Sequence, residues 1–146
     1  AFAKQTDGMT FYAGDNPIIL FDRNKTPGRI RFTVAHELGH LILGHVAPGQ
    51  VTAMNREPAN TDSQLETAAN QFAARLLAPA CVLWGIGAHT AKEISELCHI
   101  SPQAARFRAE RMEALYKRDR FLTSGLERDV YNQFRPFIEE YRSARP

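Results

Sequence analysis

The stretch RFTVAHELGHLILGH, residues 31–45, constrains this chain more than any other. It sets two histidines, a glutamate and a glycine into an otherwise oily run, a mixture that a plain core helix does not need. Thr26 is placed as a helix cap, Pro27 as a tolerated first helical residue and Gly44 as a stop, so the spacing predicts a helix from about Gly28 or Arg29 to Leu43. Residues four apart lie one above the other on a helix, so His36 and His40 can aim their imidazoles at one point.

That geometry is a chelate. Neutral imidazole nitrogen suits Zn²⁺, and Glu37, beside the first histidine, is placed to take a proton from a water that the metal activates. The spacing is H-E-x-x-H, the helix signature of zinc peptidases. The plainer reading makes the histidines satisfied polar residues on a helix, so a third ligand has to decide. An extension of the motif along the same helix would need a glycine at 43 and a histidine at 46, where this chain has Leu43 and Val46. A carboxylate from a second helix is the other common solution. SQLETAANQFAARLLAP, residues 63–79, reads as that helix, with Leu65, Ala69, Phe72 and Leu76 holding one face in the core and Pro79 ending it. Glu66 is its candidate ligand. It has a rival role, because Ser63-x-x-Glu66 also matches a capping box. Asn70, one turn beyond Glu66, is placed to orient a ligand from outside. Gly39 carries the usual helix-interior penalty of about 1 kcal/mol, which implies that another element needs room there.

Elsewhere the chain reads more simply. Residues 10–21 form two β-rich runs around turn formers at Gly14 to Pro17, hence a hairpin. Residues 47–62 carry no periodicity and read as a loop. TAKEISELCHISPQAARFRAERMEALYKRDR, residues 90–120, predicts a short helix, a break at "HIS" and a longer helix capped by Ser101 with Pro102 first, a helix-turn-helix-like unit. The tail from Phe121 is expected to form one or two short helices divided near Pro136. The fold class is therefore α+β: a small N-terminal antiparallel sheet on a helical core that carries the H-E-x-x-H helix and a second ligand helix. The expected division is residues 1–90 for the core, 91–120 for the helix-turn-helix-like segment and 121–146 for a helical tail.

At 146 residues with a net charge of +2, the composition neither demands nor excludes a nucleic-acid partner. Cys81 and Cys98 are seventeen apart, outside any C-x-x-C pattern, which fits a reducing cytoplasm. The longest oily run, LLAPACVLWGIGA, is interrupted by proline and glycine and is too short to span a membrane. The opening AFAKQTDGMT has neither an initiator methionine nor a signal pattern, as in a piece trimmed from a longer chain.

With RFTVAHELGH followed 26 residues after His40 by LETAANQFAARLLAP, the chain resembles the ImmA/IrrE family of zinc metallopeptidases over about residues 8–118. The family's second motif, E-x-x-A-N-x-F-A-A-x-L-L-x-P, matches from Glu66 to Pro79; its usual methionine before the proline is Ala78 here. The resemblance implies a gluzincin-like core, one Zn²⁺ per chain on His36, His40 and Glu66, and Glu37 as catalytic base. It also implies a protein substrate, a helix-turn-helix transcriptional repressor of a bacterium, mobile element or phage. The stabiliser of the oxyanion is not legible; Tyr12, His45 and His99 are the candidates for it, and Tyr12 and His45 are the candidate contacts to substrate.

A rival reading is a regulatory module that binds DNA or protein without catalysis. Arg106, Arg108, Arg111, Lys117, Arg118 and Arg120 are offset by Glu110, Glu113 and Asp119, and the resulting +3 is thin for a surface that tracks phosphates. Ile94, Leu97, Ile100, Ala105 and Met112 supply core positions instead, which favours packing or substrate docking.

Overall fold

A computed structural model describes residues 7–49 and 63–146. The chain divides into two compact units, Ala1–Leu77 and Ala78–Pro146. The expected loop at 47–62 lies, from residue 50 on, outside the described residues.

Among the described residues the first unit is a hairpin and two helices. Strands β1 (Gly8–Ala13) and β2 (Asn16–Phe21) pair antiparallel, with Gly8 opposite Phe21, Thr10 opposite Ile19 and Tyr12 opposite Pro17. The turn is tighter than the sequence suggests, because Asn16 and Pro17 already belong to β2. Two strands alone are marginal in water, and both pack on helix α1 (Pro27–Ile42). Asp7 pins the start of β1 to the entry of that helix through Arg29 and Lys25; the hydrogen bond from Arg29 holds its carboxyl below the ordinary value.

Helix α1 begins as expected, with Pro27 in the first turn; Thr26 occupies the cap position but makes no side-chain cap bond. It ends in a Schellman turn. Gly44, at φ 73°, donates its N–H to the Leu41 carbonyl, and the His45 N–H reaches the His40 carbonyl at 2.8 Å. Helix α2 (Ser63–Leu77) packs on α1 through part of the expected stripe, Ala69 and Phe72, joined by Ala73 in place of the two leucines. Ala69 and Ala73 are fully buried, while Leu65 and Leu76 are 38% and 49% exposed. Small side chains bring the two helices close, and that approach turns the leucines outward.

The second unit is helical. Helix α3 (Ala80–Ile86) occupies the run that reads only as oily in the sequence; Cys81, Val82, Leu83 and Ile86 are buried, and Gly87 stops it at φ 71°. Helices α4 (Ala91–Cys98) and α5 (Pro102–Arg118) form the expected pair around His99, with Ser101 capping α5 through the Ala104 N–H. The tail departs from expectation. It is one helix, α6 (Gly125–Ala144), continuous through Pro136. A proline in a helix interior removes a bond at a cost of about 3 kcal/mol. Packing on α3, where Ile138 and Tyr131 close over Gly85, holds the helix together across that position.

Glu93 joins three parts of this unit. Its carboxylate accepts from the Thr90 and His89 N–H groups at 3.1 and 3.2 Å, completing a capping box, and from Arg145 just beyond α6 at 2.5 Å. The backbone donors are the main reason its pKa is lowered from 4.5 to about 2. A carboxylate depressed on folding stabilises above its ordinary pKa, and the contribution is lost as pH falls through the folded one. Thermal unfolding followed by circular dichroism is therefore expected to show stability falling between pH 4.5 and about 2. Glu93→Gln should lower stability at pH 6 and flatten that fall; an unchanged pH slope would contradict the assignment.

Candidate metal centre

The H-E-x-x-H helix and α2 bring three potential ligands together. His40 Nε2 lies 3.1 Å from His36 Nε2 and 3.2 Å from Glu66 Oε1, and His36 Nε2 lies 3.3 Å from Glu66 Oε2. Among the described residues these three form the group of histidine and carboxylate side chains able to hold a metal ion. The spacing follows from the helices: 36 and 40 are one turn apart on α1, and Glu66 sits in the first turn of α2 where it crosses that face.

Gly39 makes the crossing possible. A Cβ there would meet Phe72 of α2 at 3.0–3.2 Å, tighter than ordinary contact, so the bare backbone is what admits α2. The room implied by the sequence is taken by Phe72.

Each imidazole is also gripped from behind. His36 Nδ1 lies 2.8 Å from Asn70 Oδ1. With the amide oxygen accepting, the ring proton sits on Nδ1 and the lone pair of Nε2 faces the cluster. His40 Nδ1 lies 2.9 Å from His45 Nδ1. The Schellman turn accounts for this second contact, since it ties the backbone of His45 to the carbonyl of His40 and stacks the rings edge-on, 5.1 Å between centroids.

The donor set is compatible with Zn²⁺. Two imidazole nitrogens and a carboxylate, 3.1–3.3 Å apart, approximate the edges of about 3.3 Å in a tetrahedron with bonds of roughly 2.0–2.1 Å. His40 is buried, while the side chains of His36 and Glu66 keep 13% and 23% of their surface exposed.

Glu37 takes a separate position. It is 3% exposed, and its Oε2 accepts a 2.6 Å hydrogen bond from the buried Thr10 hydroxyl on β1. On the helix it is three residues from His40 and so borders the histidine face. Nothing in the sequence pattern points to Thr10, because its partner is 27 residues away.

The other candidates are dispersed. Tyr12 shares the face of β1 with Gly8 and Thr10 and is half-buried. His45, a candidate substrate contact from the sequence, lies against His40. His99 is exposed and caps α4 with φ 51°, in the second unit. The side chain of Ser63, and so the capping box proposed for Glu66, lies outside the described residues. Of the six basic residues on and after α5, Arg108 is 7% exposed and donates its Nε–H to the Ala78 carbonyl at 2.8 Å.

Comparison with curated proteins and with solved structures gives no match. The family model of the IrrE N-terminal-like domain, peptidase M78, matches residues 2–116. A match over that much of a 146-residue chain, with H-E-x-x-H and Glu66 inside it, leads to one conclusion: the chain belongs to the ImmA/IrrE family of metallopeptidases.

Proposed function

We propose that this chain is a zinc-dependent endopeptidase acting on a specific protein, a helix-turn-helix transcriptional repressor. The observation that carries the reading is the convergence of His36, His40 and Glu66 from two helices on one point. These three residues would hold one Zn²⁺ per chain, with Asn70 and His45 fixing the two rings from behind. When bound, zinc supplies Lewis acidity, lowering the pKa of a water from about 15.7 toward 7 and polarising the scissile carbonyl. Glu37 takes the proton of the attacking water and delivers it to the amine nitrogen as the peptide C–N bond breaks. The β1–β2 hairpin offers an edge on which an extended segment can pair backbone to backbone, with Tyr12 nearby as a candidate contact.

The repressor assignment rests on the family resemblance, and the compartment, a reducing cytoplasm, on cysteine usage. Neither Cys81 nor Cys98 forms a disulfide among the described residues, and among them no helix is long and apolar enough to cross a membrane. Direct DNA contact is the weaker alternative, since Arg108 spends its charge on a buried carbonyl.

Cleavage tests the reading. The zinc-loaded protein is incubated with the helix-turn-helix repressor encoded beside it, and the products are read by mass spectrometry. We expect one or two defined fragments, abolished by 1,10-phenanthroline and restored by added zinc. An intact repressor together with salt-dependent DNA binding by the wild type would overturn the peptidase reading in favour of a regulator.

A further inference from the structure

We propose that Thr10 is the positioning residue for the Glu37 carboxylate. The inference rests on the peptidase reading above and adds a residue to it. A glutamate carboxylate turns easily about its last torsion, which is broad and two-fold. A base that must accept a proton from one direction needs that rotation fixed. Thr10 supplies the constraint. Its hydroxyl carries a single proton, and between Glu37 Oε2 at 2.6 Å and the Glu37 carbonyl at 3.4 Å the carboxylate oxygen is the nearer acceptor. Thr10 is fully buried and Glu37 is 3% exposed, so the contact is shielded from bulk solvent.

The sequence around Thr10 is built for this approach. Gly8 and Thr10 lie on the same face of β1, both buried. A Cβ on Gly8 would lie 2.5 Å from Thr33 Cγ2 and 3.3 Å from Glu37 Cγ. Only a bare backbone lets the strand settle this close to α1, and the closeness brings a hydroxyl as short as threonine's onto the carboxylate. Thr10 touches the carboxylate itself, so its influence on the chemistry runs through Glu37.

The test separates the hydrogen bond from its consequence. The ¹³Cδ resonance of Glu37, assigned by its loss in Glu37→Gln, needs no substrate. It should move in Thr10→Val, which keeps the shape of the side chain and removes the hydroxyl, and return in Thr10→Ser. Activity is then read on a fluorogenic peptide spanning the bond cut in the repressor assay. Thr10→Val should lose about 10- to 100-fold in kcat, the range for partners that orient a functional group, with KM and zinc content unchanged. Thr10→Ser should recover most of the loss. If Thr10→Val does not fold, Thr10→Ala replaces it, and a slowly exchanging Thr10 hydroxyl proton in the wild type gives the same answer without any variant. A Glu37 resonance indifferent to the hydroxyl, a Thr10→Val enzyme with wild-type kcat, or equal losses in valine and serine variants would overturn the proposal. A wild type that holds no zinc and cleaves nothing would instead overturn the peptidase reading itself, an outcome distinct from each of these.

Discussion

Glu66→Ala should purify with little or no zinc, and the wild type with about one ion per chain. Glu66 is the anionic member of the donor set, within 3.2–3.3 Å of both inward nitrogens. Without it two neutral imidazoles remain, and a pair is a poor substitute for the three protein ligands of a catalytic zinc site. Affinity should fall on the order of 100-fold or more, beyond the loss typical of an outer partner. The fold should survive, because α2 is held to α1 through Ala69, Ala73 and the Phe72–Gly39 contact. Elemental analysis after dialysis, with circular dichroism as a control, makes the measurement. A folded variant that retains full zinc would return Glu66 to the capping role its sequence also allows.

Glu37→Gln should do the reverse, keeping the metal and losing cleavage. The amide has the size and shape of the carboxylate, and its oxygen can still accept from Thr10, so packing against β1 is preserved. It cannot take a proton. General-base assistance of this kind contributes about 10²–10⁴-fold, and the loss should fall on kcat. Single-turnover cleavage of the repressor with zinc-matched enzyme reads it. A variant as active as the wild type would remove Glu37 from the chemistry while leaving the metal centre standing.

The two variants probe features that differ in how far the sequence discloses them. The histidine pair is visible because one helix carries it, and α1 is announced by Pro27 at its start and Gly44 at its end. Glu66 is harder, standing 26 residues beyond His40 with a rival capping role, and it is marked only because a carboxylate from a second helix is a common third ligand. The contacts behind the rings are a different matter. His45 reaches His40 because a Schellman turn folds the chain back, and a Gly-His pair after a helix is the signal that could have been read. Thr10 reaches Glu37 only once strand and helix are in place, which no local pattern encodes. The missed continuity of α6 has a similar origin. Pro136 argues for a break on local grounds, and burial of Ile138 overrides it. Leu65 and Leu76 mislead in the opposite way, since their helical spacing is real but the alanine face is what α1 needs.

Helix α1 is pressed by β1 at one side and by α2 at another, and at each pressure point stands a glycine, Gly8 on the strand and Gly39 on the helix. Neither carries a functional group, yet each sets where one that matters comes to rest, Glu37 against Thr10 in the first case and Glu66 against the histidines in the second. Mutational tolerance across this unit will thus map clearance as faithfully as chemistry. A tolerance map of the chain will mark these two bare positions alongside the histidines, and they should be interpreted as fixing the site's dimensions rather than as further members of its reactive set.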